Sequence, residues 1–189
     1  MFTKQPVTDT YIVEAEYLEG EKQAEERHEY VNGRVYALAG ASKRHNRIAR
    51  NFITRLGSAA DEAGCELFFS DIKVRSEKHK TYYYPDVVLG CDEDSADDYY
   101  LEKPCLIIEV TSASTLRKDY LEKALSYQSI ASLQAYLIVA QDKPQVDMLV
   151  RDDDAWLLRQ FDDAEAVVDL PCLNVSLSLA EIYAGVEPG

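Results

Sequence analysis

Ile48, Phe52, Leu56 and Ala60 recur every fourth residue, with Ile53 beside them, so they share one face of a predicted helix. Ser42 can cap its start and Gly64 can end it in the left-handed conformation. A one-sided helix of this kind needs a sheet to lie on. Ahead of it, residues 29–38 read as two strands about Asn32-Gly33, the dipeptide suited to a two-residue hairpin turn that needs positive φ. Residues 65–75 and 82–90 are predicted strands separated by 76–80, and 105–111 is a third after the acidic stretch 92–98. The pattern turns helical near 117–130 and extended again at 135–140. Alternating runs around 145–151 and 155–161 predict a closing hairpin. The charged segment 14–27 reads as a short helix with little core potential, and 177–184 as a short terminal helix.

The order is α-β-β-β-α-β, with a hairpin before it and one after. Strands joined by helical crossovers favour a mixed sheet flanked by helices, in the α/β (mixed α+β) class. A chain of 189 residues supports one buried core, so a single domain spanning 1–189 is expected, with its core over about 29–140. No apolar run approaches the roughly 18 residues that span a bilayer, which argues against a membrane protein. The first residues lack a secretory pattern, so a cytoplasmic setting with reduced thiols is expected. Cys65, Cys91, Cys105 and Cys172 are scattered without a Cys-x-x-Cys pair, which favours structural burial over zinc binding.

The formal charge of −14 opposes nonspecific attraction to nucleic acid. Its distribution softens that objection. Acids concentrate at 92–98, at 152–154 and in the C-terminal third, whereas residues 42–80 hold Lys43, Arg44, Arg47, Arg50, Arg55, Lys73, Arg75, Lys78 and Lys80. One face can therefore still be basic.

Two carboxylates stand against apolar strands: Asp86 in the run Tyr82 to Leu89, and Glu109 near the end of Leu106 to Val110. A carboxylate in such surroundings loses hydration and persists with a metal, a cation or hydrogen bonds holding it. Phosphodiester hydrolysis uses Mg²⁺, which takes hard oxygen ligands, and Asp86, Glu109 and the Val110 carbonyl could supply them. Asp119, Lys123 and Tyr127 fall four residues apart on one helical face, where Lys123 could lie beside both acids and orient the attacking water. Each residue alone has an ordinary explanation. Pro85-Asp86 can be a simple turn, Glu109 can mark the exit from the core, Asp119 can pair with Lys123 at the surface, and Tyr127 reads as packing.

The linked elements His28-Glu29-Tyr30-Val31-Asn32-Gly33, Ala39-Gly40-Ala41-Ser42, His45-Asn46, Tyr84-Pro85-Asp86-Val87, Glu109-Val110-Thr111-Ser112 and Asp119 with Lys123 and Tyr127 resemble the PD-(D/E)XK nuclease superfamily. Within it they resemble the Uma-type restriction endonuclease family, over about 29–136. The resemblance implies a restriction-endonuclease-like core, Mg²⁺ (or Mn²⁺) on Asp86 and Glu109, DNA as substrate, and a product carrying a 5′ phosphate. It also exposes a departure. Where the superfamily carries lysine two residues after the second acid, this chain has Thr111. The resemblance assigns the displaced lysine to Lys123 in the following helix, with Lys118 as a lesser substitute. Glu29 and His45 occupy positions where related nucleases carry an additional acidic residue, and could join the metal through water. A surface carboxylate and a capping or packing histidine are the alternatives. Asp71 is a weaker candidate.

Lys43, Arg47 and Arg50 on the helix after Ser42, helped by Lys73 and Arg75, are candidate phosphate contacts, or else a solvated helix face. The rival to a Mg²⁺-dependent endodeoxyribonuclease is a catalytically silent nuclease-fold module that binds DNA or protein. A homodimer is also expected, with 13 tyrosines available for contacts and two sites to cut two strands.

Overall fold

The computed structural model describes residue 7 and residues 10–92, 97–112 and 119–187. It has mixed sheets flanked by helices, as the pattern predicts. The elements follow as α1 (Glu14–Gln23), β1 (His28–Val31), β2 (Arg34–Ala37), α2 (Lys43–Ala63), β3 (Glu66–Phe69), β4 (Lys73–Ser76), β5 (Thr81–Tyr83), β6 (Val87–Gly90), β7 (Tyr100–Leu101) and β8 (Pro104–Thr111). A π-helical turn at Asp119–Lys123 then runs into α3 (Ala124–Gln128), β9 (Ala135–Ala140), β10 (Val146–Asp152), β11 (Ala155–Phe161), β12 (Val167–Leu170), β13 (Val175–Ser178) and α4 (Leu179–Ile182).

The main sheet has six strands in the order β11-β10-β9-β8-β6-β3, in which only β8 and β9 are parallel. A parallel pair needs a crossover, and the π-helical turn with α3 lies within it. Helix α2 covers one face. Ser42 Oγ accepts the His45 N–H, Gly64 closes the helix at φ 68°, and Ile48, Phe52, Leu56 and Ala60 pack on Leu106, Ile108, Leu137 and Val139. Ala124 and Tyr127 pack on the opposite face against Ile107, Tyr136 and Ile138.

Residues 65–75 and 82–90, predicted as continuous strands, are each broken at a corner. β3 and β6 pair in the six-stranded sheet, while β4 and β5 turn into a five-stranded sheet ordered β2-β1-β5-β4-β7. The physical cause lies in residues 70–72 and 84–86. Pro85 removes a ladder donor, Ser70 adopts φ 57°, and the Ser70 N–H donates to the Asp86 carbonyl across the bend. Asp86 is thereby delivered to the seam between two sheets.

Other expectations need correction. The segment at 14–27 does reach a core, because Tyr17 is 4% exposed, stacks with Tyr30 and meets Tyr82 in a tilted ring contact. Leu177 belongs to a strand rather than a helix: β12 and β13 form an unanticipated hairpin, and Ser178 caps the short α4 with Glu181 in a reciprocal box. The thiols expected to be reduced are two disulfides, Cys65–Cys91 and Cys105–Cys172. The antiparallel register Glu66↔Gly90 sets Cys65 opposite Cys91, and the turn after β12 carries Cys172 to β8. Among the described residues no helix is long and apolar enough to cross a membrane.

Candidate active site

Three of the predicted residues meet behind the hairpin. Glu29 on β1, expected as a possible surface carboxylate, is 1% exposed. Glu109 on β8 and Lys123 at the end of the π-helical turn are each 5% exposed. Lys123 Nζ donates to Glu109 Oε1 at 2.7 Å and lies 3.0 Å from Glu29 Oε1, a contact that works by charge rather than as a directed hydrogen bond. Its ammonium also sits 5.4 Å from the centre of the Tyr83 ring. Tyr127, one helical turn after Lys123, donates its hydroxyl to Glu109 Oε1 at 3.0 Å. Burial raises the Tyr127 phenol well above its ordinary range, and the Glu109 charge adds to that, so the hydroxyl stays a donor. Tyr127 packs in the core, as expected, and its hydroxyl adds the bond to Glu109 that the four-residue spacing from Lys123 permits.

Asp86 is held from the other side. Oδ1 lies 2.7 Å from His45 Nε2, and Oδ2 accepts the Val110 N–H at 2.7 Å. His45 is therefore neither a cap nor mere packing; it grips Asp86 from the first turn of α2. The Val110 amide belongs to the peptide that joins Glu109 to Val110, so Asp86 and Glu109 are neighbours through one backbone unit. The side chains of Asp86 and His45 are 17% and 18% exposed, which leaves this end of the site open to water.

Two carboxylates, Glu29 and Glu109, thus flank the buried ammonium of Lys123, and the imidazole of His45 holds a third, Asp86. Among the described residues, no three His, Cys, Asp or Glu side chains converge as a ready cage. Mg²⁺ does not demand one. It keeps several waters and binds through one or two carboxylates. The acidic character of the cluster and the oxygen donors of Asp86, Glu109 and the Val110 carbonyl fit such an ion.

Lys43, Arg47 and Arg50 are exposed on α2, with Arg47 Nη1 donating to the Gly185 carbonyl at 2.9 Å. Lys73, expected to meet phosphate, is instead 5% exposed, with its ammonium 5.2 Å from the centre of the Tyr84 ring. Desolvation lowers its pKa. Arg75 is engaged by Glu102 and Glu14. Asp71 pairs with Arg27 at 2.8 Å on the surface. Lys118 and the Asp119 side chain lie outside the described residues.

The family model described as "Putative restriction endonuclease" (Uma2) matches residues 14–180. Two proteins of Synechocystis sp. are similar along nearly the whole chain. The uncharacterized protein slr1290 is 32% identical over 173 residues, covering 90% of this chain and 90% of its own. The uncharacterized protein sll1609 is 31% identical over 172 residues, covering 89% and 97%. Among solved structures, a putative nuclease belonging to DUF820 from Anabaena variabilis superposes with a TM-score of 0.71. At 16% identity, covering 93% of this chain and 99% of that one, it shows a shared fold.

Proposed function

The chain belongs to the Uma2 family of restriction endonuclease-like proteins, and on that premise we propose that it is a Mg²⁺-dependent endodeoxyribonuclease. The observation that carries this reading is the pairing of two anchored carboxylates, Asp86 and Glu109, joined through one peptide beside the buried Lys123. Asp86, Glu109 and the Val110 carbonyl would hold the ion, and Mn²⁺ could replace it. When bound, it supplies Lewis acidity toward a phosphate oxygen and toward water.

The remaining work falls to the chain's own residues. His45 and the Val110 amide fix the Asp86 carboxylate, while Lys123 and Tyr127 fix that of Glu109. Such anchoring keeps oxygen donors in place and lowers the reorganisation that the reaction demands. Lys123 also sets a positive charge beside the attacking water. Glu29 keeps that lysine in register from the hairpin. Lys43, Arg47 and Arg50 would position the duplex by its phosphates, and the whole chain would act as one nuclease-like domain. A homodimer would bring two such sites to opposite strands, which sedimentation can test.

The experiment is cleavage of linear, circular, branched and single-stranded DNA with Mg²⁺ or Mn²⁺, comparing wild type with Asp86→Asn. Metal-dependent cutting lost in the variant supports the reading. Absence of both cutting and calorimetric metal binding in the wild type would replace it with a silent nuclease-fold binding module.

A further inference from the structure

Thr111 ends β8 two residues after Glu109, so both side chains share one face of the strand. Its hydroxyl is buried and has no hydrogen-bond partner among the described residues. A buried hydroxyl in that condition calls for a ligand or water. Thr111 lines a cavity of about 80 Å³ together with Ile138, Ala140, Lys143, Gln145 and Asp147. The registers Glu109↔Ile138, Thr111↔Ala140 and Asp147↔Ile138 put this cavity on the Glu109 face of the main sheet.

We propose that Lys143 and the Thr111 hydroxyl form the phosphate-binding subsite of the active centre, a role that Lys123 cannot fill from its buried position. The inference rests on the nuclease reading above. Lys123 is 5% exposed and directed at Glu109 and Glu29, so a phosphate oxygen would have to displace a carboxylate to reach it. Lys143 has no such constraint of burial, because it lies exposed in the turn between β9 and β10. That turn is tied to the start of α2, where Ser42 Oγ donates to Gln141 Oε1 at 2.9 Å and Arg44 lies 3.5 Å from Asp142. The same first turn of α2 carries His45, which grips Asp86. Cavity, loop and Asp86 are thus parts of one edge of the sheet.

Two groups of the lining can receive an oxyanion. An ammonium and a hydroxyl are both donors, and a nonbridging phosphate oxygen accepts from both. Asp147 is the apparent objection. It is 4% exposed, and its Oδ1 already accepts from Gln145 Nε2 at 3.2 Å and Gln160 Nε2 at 3.1 Å. Burial raises its pKa, the Gln160 hydrogen bond opposes that rise and the nearby Asp162 charge adds to it, while both its oxygens are already taken up by the Gln145 and Gln160 amides. On this account Lys143, 32 positions after Thr111, adds a second cation to the one that Lys123 supplies beside Glu109.

The test measures binding of a short fluorescein-labelled DNA duplex, with Ca²⁺ in place of Mg²⁺, across a range of NaCl concentrations. Lys143→Ala should flatten the slope of log affinity against log salt by about 0.9, the share of one phosphate contact. Lys143→Arg should restore the slope. Thr111→Val should weaken binding and leave the slope unaltered. With Mg²⁺ and saturating duplex, single-turnover cleavage by Lys143→Ala should fall about 100-fold. If Lys143→Ala keeps the wild-type slope or the wild-type cleavage rate while Asp86→Asn no longer cuts, the subsite is wrong and the nuclease reading stands. If the wild type neither binds duplex nor cuts any DNA, both fall together.

Discussion

Lys123→Met is the substitution that most directly probes the buried cluster. It keeps the length and the apolar stem of the side chain but removes the ammonium between Glu29 at 1% exposure and Glu109 at 5%. Removing one partner of a buried ion pair costs about 3 to 5 kcal/mol, because the charge left behind stays desolvated. In a chain of this size each kcal/mol lowers the melting temperature by about 2 to 4 °C, so a drop of about 6 to 20 °C is expected at pH 7. The single Trp and 13 Tyr residues give a fluorescence signal for urea unfolding. Adding Glu29→Gln should recover part of the loss at pH 7 by deleting one of the stranded charges. A deficit below about 1 kcal/mol, or one that Glu29→Gln leaves undiminished, would refute the claim that Lys123 is the internal counterion.

Tyr127→Phe removes one hydrogen bond to the Glu109 carboxylate; it should cost about 1.5 to 3 kcal/mol in urea unfolding and lower metal-dependent turnover with the fold intact. Asp147 has a raised folded pKa, so the stability its proton supplies is present below the unfolded carboxyl pKa near 3.9 and lost as pH rises through the folded value. Asp147→Asn should therefore match wild type near pH 4 and equal or exceed it at pH 7, as thermal melts at the two pH values would show. The Cys105–Cys172 crosslink spans 67 residues of sequence. Replacing both cysteines by serine should cost about 4 kcal/mol through the freed loop, measured by urea unfolding in parallel with fully reduced wild type.

The elements that the sequence revealed most clearly are those whose signal is local. Asn32-Gly33 made the first hairpin visible, and Ser42, the four-residue apolar stripe and Gly64 marked α2 from cap to end. The breaks in β3/β4 and β5/β6 were hidden because both sides of each corner are apolar and strand-like. Only pairing with two different sheets separates them. The β12–β13 hairpin was written as an alternation too short to stand out, with Val168 and Leu170 inward and Val167 and Asp169 outward. At the site, Asp86, Glu109 and Lys123 could be named from strand ends and helical spacing. That His45 holds Asp86 could not, since 41 residues separate them and only the packing of α2 on the sheet brings them together. Lys73 misled because its charge suggested a surface, whereas Tyr84 and Tyr99 supply aromatic faces that cover its ammonium.

A chain with a net charge of −14 can still meet a polyanion if its acids are kept away from the approach. β10 begins beside Lys143 and Gln145 and ends at Asp152, where Asp153 and Asp154 turn the chain into β11. The 7 residues of this strand, at about 3.3 Å each, put that acidic tip about 20 Å from the cavity. This exceeds two screening lengths of about 8 Å at physiological ionic strength, so the tip has little hold on a phosphate at the other end. Asp162 is different. It follows Phe161, which pairs with Val146 at the cavity end of β10. Burial and the Asp162 charge raise the Asp147 pKa against the Gln160 hydrogen bond, and the Gln145 and Gln160 amides occupy its carboxylate in the cavity it shares with Lys143. With Lys43 opening α2 at the same edge, and Arg44 there paired with Asp142, the local balance at the strand ends is set by position along the sheet and not by the total charge of the chain.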